Sequence, residues 1–335
     1  MAKLKAEFLQ HYYDSNGIPM RTRAIAYISS INKLGMVVPS ITNYVMSNPA
    51  LSSMLKKFLG FAPKRSIPLL YKFTLRNWAK KNLPKLNQKK EIKGQLNLFI
   101  DEFTDYNDVE IGITAIKLLT QLGYEVFIPK HDLSGRTFLS KGLLRKAKRI
   151  ANKNIELLKN EVSDTRPLIG IEPSGILTFR DEYPDLALSE NKEAAIKLAE
   201  TSFLFEEFIA NEIMKGAIVS DQFTDSPLKI KLHGHCQQKA LIGTASSKSM
   251  LSLPQNYVVD EIPSGCCGMA GSFGYEEEHY DLSMKVGELV LFPEVRKSSN
   301  EIIISAPGTS CRHQIKDGTG REAKHPLVIL FEALK

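Results

Sequence analysis

Residues 256–274 read NYVVDEIPSGCCGMAGSFG. NYVVDEI has the β-branched content of a strand, and Pro263, Ser264 and Gly265 end it. Cys266 and Cys267 follow at once, so one strand end delivers two thiols to one place. Two further strands end in the same way. KIKLHG (229–234) leads through His235 to Cys236, and EIIISAPG (301–308) leads through Thr309 and Ser310 to Cys311. Helical periodicity fills the gaps, at 238–251 and over EEEHYDLSMKVGELVLFPEVR (276–296). Strand–helix–strand units of this length imply parallel pairing with right-handed crossovers. Neighbouring parallel strands present their carboxyl ends at one edge, so four cysteines distant in sequence converge there.

The same plan stands upstream. QLNLFID (95–101) and YEVFIP (124–129) flank a helix over 108–123, with Asn107 or Asp108 at its start and Gly123 past its end. A long helix over 134–162, capped by Ser140, then leads to the strand PLIGIE (167–172). A second helical stretch over 191–216 precedes KIKLHG. The halves align: Phe103–Leu133 and Cys236–Cys266 have the same length, LSG (133–135) falls on CCG (266–268), and Gly175 falls near Cys311. This is an internal duplication. The expected fold class is α/β, two duplicated parallel-sheet βαβ domains behind a helical N-terminal segment. The expected divisions are 1–93, helical and basic; 94–186, a first repeat without cysteines; and 187–335, a second repeat carrying all four.

The chain has 335 residues, enough for two cores, and a net charge of +7. In 1–93, AKLKAEFLQHYY (2–13) and RTRAIAYISSINKLG (21–35) read as helices, as does PALSSMLKKFLG (49–60), while FAPKRSIPLL and NLPKLNQKKEIKG read as linkers. Ten lysines and arginines face one acid between Lys64 and Lys93. That run is expected to be a solvated basic surface, and no nucleic-acid-binding signature accompanies it. MAKLKAEFLQHYYDSNG lacks the apolar core and small-residue cleavage site expected of a signal peptide, and no apolar run is long enough to span a bilayer. The expected location is cytoplasmic, with peripheral contact at the inner face of a membrane left open.

Four unevenly spaced cysteines in a chain of this size favour metal or redox chemistry over a disulfide framework. Cys236, Cys266, Cys267 and Cys311 suit an iron–sulfur cluster, cubane or non-cubane, or a structural zinc. The C-x2-C knuckle usual for zinc is absent, and adjacent cysteines can reach two atoms of a multi-iron cluster. Gly265 and Gly268 permit close approach of the chain to such a group. His233, His235, His313 and Arg312 lie close enough in sequence to support it, and Arg321 is a further candidate for balancing its charge.

At this point the motifs become informative as a set. LHGHCQQKAL, GCCGMAGSFGYEEEHYDLSM, LFPEVR and the region GTSCRHQI…DGTGR resemble the cysteine-rich CCG-domain family. That family includes heterodisulfide reductase subunits and the iron–sulfur subunits of glycolate, glycerol-3-phosphate and lactate dehydrogenases. The chain resembles in particular the C-terminal part of long FAD-linked oxidases of the D-lactate or D-2-hydroxyglutarate dehydrogenase type. The resemblance implies an iron–sulfur electron-transfer component that accepts electrons from an FAD-binding domain or subunit. It also implies a ferredoxin-like iron–sulfur partner and a membrane quinone or other carrier as acceptor. Cluster-based disulfide-reductase-like catalysis and a non-redox zinc-binding scaffold are the alternatives. Two departures bear on the cofactor. Leu133-Ser134 and Gly175 replace the cysteines of a first-repeat cluster, and Cys311 is followed by Arg312, His313 and Gln314 where the family pattern has C-x-x-C.

Overall fold

The computed structural model describes residues 2–88 and 91–335; Lys89 and Lys90, at the end of the basic run, lie outside the described residues. Eight strands form two four-stranded, all-parallel sheets. The first holds β1 (Gly94–Phe99), β2 (Tyr124–Phe127), β3 (Leu168–Gly170) and β4 (Ser202–Leu204), in the order β2-β1-β3-β4. The second holds β5 (Leu228–Leu232), β6 (Tyr257–Glu261), β7 (Ile303–Ser305) and β8 (Ala323–Lys324), in the order β6-β5-β7-β8. The two orders coincide position for position, so the duplicated parallel architecture read from the sequence is the one observed. Strands of such sheets are covered on both faces. Accordingly Leu96, Leu98 and Phe99 of β1 are all buried, and the amide of the intervening Asn97 donates to the carbonyls of Glu161 (2.8 Å) and Arg166 (3.0 Å).

Several stretches expected as single helices are broken, and 238–251 is one of them, divided into Cys236–Leu241 and Ala245–Leu251. In 191–216, helices Lys192–Glu200 and Phe205–Met214 are separated by β4. Ser202 and Leu204 are buried and β4 pairs with β3, while Glu207 accepts the Leu204 N–H at 3.0 Å and restarts the helix. β4 thus completes the first sheet from beyond residue 186, where the second repeat was expected to begin. In 134–162, Arg136–Ser140 and Leu144–Leu158 are separated by Gly142 at φ +72°. Ser140 ends one helix and does not cap the next. A Cβ on Gly142 would lie 2.2 Å from Cβ of Leu9, so the break is where the N-terminal helix seats. In 276–296, the chain breaks at Val290 between helices Tyr280–Leu289 and Leu291–Lys297. Pro293 lacks the N–H that a continuous helix would need there.

One apolar cluster is shared by the two repeats. Helix Pro326–Glu332 packs on Val109–Gln121, and Ala245–Leu251 packs on Phe205–Met214. A second cluster covers the outer face of the first sheet. A third covers that of the second, where Met269, Phe292, Val295 and Ile315 surround Cys267 and Cys311.

The N-terminal segment is helical at Ala2–Asn16, Met20–Ala26, Ile28–Gly35, Pro39–Ser47, Pro49–Leu59 and Leu75–Leu86. The expected helix over 21–35 is split at Tyr27, and two helices arise in stretches not read as helical. Asn48 caps Pro49–Leu59 through Oδ1, which accepts two N–H groups at 3.1 Å, and Gly60 ends it at φ +67°. Arg65, expected on a solvated surface, is instead 1% exposed. Its guanidinium donates to Gly274 O (2.6 Å), Gln314 Oε1 (2.5 Å) and Ser283 Oγ (2.7 Å), tying the segment to the second repeat.

Candidate metal or cluster site

Each cysteine follows a strand of the second sheet, as the topology requires. Cys236 opens helix Cys236–Leu241 after β5, Cys266 and Cys267 follow β6, and Cys311 lies in the first turn of helix Thr309–Thr319 after β7. All four are free thiols. Their sulfurs form a chain of contacts: Cys236 with Cys266, Cys266 with Cys267, Cys267 with Cys311, and Cys311 with His233. Cys236 is exposed and Cys267 and Cys311 are buried, so the chain runs from the surface inward. The inner end is compact. Sγ of Cys267, Sγ of Cys311 and a ring nitrogen of His233 lie within 4.8 Å of one another.

The thiol pKa values shift in alternating directions along this chain. Hydrogen bonds from Cys236 and Cys267, with backbone N–H groups of Gly268 and Ala270, lower the Cys266 thiol to about 2. The Gly268 N–H reaches its Sγ at 3.3 Å. Cys311 is also held well below the usual thiol range, first by the hydrogen bond from Cys267 and then by His233 and His235. Cys236 and Cys267 are pushed up, because each donates to a neighbouring thiolate and loses solvent. The ensemble is a set of four neighbouring thiols in which Cys266 and Cys311 are the two biased toward the thiolate.

The surroundings fix these sulfurs. His233 Nδ1 meets Ser264 Oγ at 2.7 Å, joining the β5 and β6 ends, while Nε2 is buried with no nitrogen or oxygen partner among the described residues. His235 caps helix Cys236–Leu241 by accepting the Gln237 N–H on Nδ1 at 3.3 Å. Gly308 makes room for it: a Cβ there would lie 2.6 Å from His235 Cδ2 and 3.4 Å from Cys311 Sγ. The two glycines singled out from the sequence differ. Gly268 has φ +97°, and a Cβ on it would stand 2.2 Å from the Ser283 carbonyl oxygen. Gly265 faces open space, with nothing within 4 Å of such a Cβ. Gly268→Ala should therefore cost roughly 2–4 kcal/mol, and Gly265→Ala less than about 0.5 kcal/mol. Chemical denaturation of both variants checks this, and equal costs would contradict the loop geometry.

His313 and Arg312 make no hydrogen bond to a cysteine among the described residues. His313 faces Ser66 Oγ at 3.4 Å, its pKa lowered by burial. Arg312 donates to the Ala306 (3.2 Å) and Pro307 (2.6 Å) carbonyls and to Asp108 Oδ2 (2.5 Å). Arg321 donates to carbonyls of Ser298, Ser299 and Ile302. Three further contacts were not read from the sequence. Lys239 donates to the Ser264 and Gly265 carbonyls, the latter at 2.7 Å. Ala270 holds φ +43° as it turns its N–H toward Cys266. Glu172, from the first repeat, accepts the Thr309 N–H at 2.9 Å. That last contact places a carboxylate of one repeat at the start of the cysteine-bearing helix of the other.

The matching edge of the first sheet carries acids in place of thiols. Ser134 gives its N–H (3.1 Å) and hydroxyl (2.8 Å) to buried Glu102. A Cβ on Gly175 would stand 3.2 Å from Cβ of Asp101.

The chain can now be compared with known proteins. No family model matches it, and no solved structure matches it. It is similar to D-2-hydroxyglutarate dehydrogenase of Escherichia coli (strain K12), 26% identical over 341 residues, which cover 99% of this chain and 32% of that protein. It is similar to one subunit of the anaerobic glycerol-3-phosphate dehydrogenase of the same strain, 24% identical over 326 residues, spanning 96% of this chain and 79% of that relative. A third relative is the lactate utilization protein A 1 of Bacillus mycoides (strain KBAB4), 24% identical over 72% of this chain. The chain spans about a third of the length of the D-2-hydroxyglutarate dehydrogenases it matches. At this low identity the similarities are consistent with a CCG-type domain and an oxidoreductase-related role.

Proposed function

We propose that the chain is the iron–sulfur electron-transfer component of an FAD-linked 2-hydroxy-acid dehydrogenase, taking electrons from flavin and passing them to a quinone or another carrier. The observation that carries this reading is the extended chain of four sulfurs from three adjacent strand ends. A single tetrahedral ion draws its ligands to one point. Among the described cysteines and histidines, Cys267, Cys311 and His233 share such a point, and Cys266 and Cys236 continue outward from it. Sulfur donors spread in this way fit a multi-iron group better than one ion.

Cys236, Cys266, Cys267 and Cys311 would hold the cluster, which when bound supplies one-electron redox chemistry. The chain's own residues then do three things. Gly268 and Ala270 direct N–H groups at the Cys266 sulfur, which favours a more reduced, more negative state. Ser264 orients His233. Met269, Phe292 and Ile315 keep water from the inner sulfurs. Flavin chemistry on the hydroxy acid belongs to a separate domain or subunit, as does any ferredoxin-like cluster. The similarity to one subunit of a glycerol-3-phosphate dehydrogenase supports such a division of labour.

The compact Cys267–Cys311–His233 group favours a second reading, a structural zinc. Anaerobic purification followed by iron, sulfide and zinc analysis separates the two. The expected result is about four irons and four sulfides per chain, with most of both lost in Cys266→Ser. About one zinc per chain without sulfide would leave the electron-transfer reading without support.

A further inference from the structure

We propose that the N-terminal segment docks the chain on an anionic lipid surface through exposed apolar faces of helices Ile28–Gly35, Pro39–Ser47 and Pro49–Leu59. This inference does not rest on the redox reading, and its test does not require metal. Two independent observations meet in this segment. From the sequence, no aspartate or glutamate occurs between Asp14 and Glu91, while fourteen lysines and arginines do. From the structure, large apolar side chains stand in solvent: Leu34 is 75% exposed, Val37 76%, Met54 68% and Phe58 73%.

The exposed residues follow the helical period. Ile41 and Tyr44 are three apart on one helix, Met54 and Phe58 four apart on the next, so each helix offers an apolar stripe. Lys33 and Lys57 flank these stripes, and Lys64 follows. All three are exposed and make no ion pair among the described residues. The segment is anchored to the second repeat by other atoms. Arg21 pairs with Glu278, the Ala62 N–H donates to Tyr275 O at 2.8 Å, and the Glu277 N–H donates to Gly60 O at 3.1 Å. The anchoring contacts leave the stripes free.

Apolar stripes rimmed by unpaired lysines, with no acid between Asp14 and Glu91, are the arrangement of helices that lie in a bilayer interface. A protein partner is disfavoured by the same lysines, which are depleted at protein interfaces. A lipid surface accommodates them at its headgroups, where the flexible stems reach the phosphates. The anchored loop is the one that follows Cys266 and Cys267, so docking would hold the sulfur site near the membrane plane.

The experiment is flotation of the full chain with phosphatidylcholine vesicles, with and without about one-third phosphatidylglycerol. Binding to the anionic vesicles should exceed binding to neutral ones by about tenfold or more and fall as salt is added. Leu34→Ser with Phe58→Ser, and separately Lys33→Glu with Lys57→Glu, should each cut it by roughly tenfold. Met214→Ser, which removes an equally exposed apolar side chain elsewhere, and Lys285→Glu should leave it unchanged. All six positions are exposed, and far-ultraviolet dichroism verifies that the variants are folded. Equal binding to both vesicle types, or to neither, overturns the proposal. So does concentration-dependent self-association that Leu34→Ser with Phe58→Ser abolishes, which would assign the stripes to a second copy.

Discussion

Arg65→Ala is expected to lower the unfolding free energy by about 3–5 kcal/mol, the range for removing one partner of a buried charged network. The Arg65 side chain is wholly buried, although the residue sits in a run of lysines. Its three carbonyl, amide and hydroxyl partners come from Gly274, Gln314 and Ser283, with Asp317 at 3.4 Å and the Tyr280 ring 4.9 Å from the guanidinium carbon. Removing the guanidinium leaves these polar atoms in a dry site with no replacement. The damage should reach the sulfur site. Gln314, which Arg65 holds, donates to the Ser283 carbonyl at 3.1 Å, and that carbonyl lies against Gly268. Arg65→Ala should therefore also reduce metal retention and expose the 60–76 strap to proteolysis. Arg65→Lys keeps the charge and loses the planar fork, so it should recover less than half of the lost stability. Guanidinium denaturation of both variants provides the check. A cost below about 1 kcal/mol for Arg65→Ala would show that the network does not hold the strap.

Arg65 also marks a limit of what the sequence discloses. In sequence it is one of ten basic residues in a run, and nothing local separates it from Lys64. Its burial is set by partners more than two hundred residues away. Six of the eight strands were legible as short apolar runs ended by a turn, while β4 and β8 were not read from the sequence. Nor were the broken helices. Periodicity over 191–216 is continuous, and β4 exists only because β3 offers an unpaired edge there. The second break is similar, since Gly142 acts as a stop only once Leu9 packs on it.

The cysteine convergence was legible because topology alone brings strand ends to one edge. Its internal order was not. Sequence treats the four thiols alike, yet the fold grades them from exposed Cys236 to buried Cys311 and shifts their acidities in alternating directions. Among the flanking polar residues, chain proximity proved a poor guide to contact. Helix Thr309–Thr319 turns about 100° per residue, so Arg312 and His313 leave the face that Cys311 occupies. His233 and His235 sit at a strand end and a cap, where the loop brings both rings back to the sulfurs. Glu172 and Asp108 reach Thr309 from the other repeat, and although Asp108 was read as a helix start, neither was read as a contact of the cysteine-bearing helix.

Those inter-repeat acids lead to the second large effect, a loss of stability as pH rises. Glu206, at the start of helix Phe205–Met214, is fully buried, and among the described residues no other residue gives its carboxyl oxygens a hydrogen bond. Burial raises its pKa from 4.5 to about 8, with the charges of Glu207 and Glu172 adding to the rise and its own backbone N–H and Arg312 opposing it. Asp101 nearby is raised to about 7, by burial and then by Glu172 and Glu102. An acid whose pKa is higher in the folded chain binds its proton more tightly there than when unfolded. Its contribution is fully present below the unfolded value of 4.5 and is lost as pH climbs toward about 8. For Glu206 the full loss is roughly 3–5 kcal/mol. Glu206→Gln removes the titration and keeps the shape, though its amide brings a fixed cost of burial at every pH. The stability difference between parent and variant should therefore shift in favour of the variant between pH 5 and pH 8, by about 1.4 kcal/mol per pH unit at most. Asp101 and the other raised acids slope alike in both proteins and cancel from that difference. A parent-minus-variant difference that stays flat across this window would mean that Glu206 ionises freely in the folded chain. The inter-repeat face would then be wet, and its carboxylates would not be a buried counterpart to the thiol edge of the second sheet.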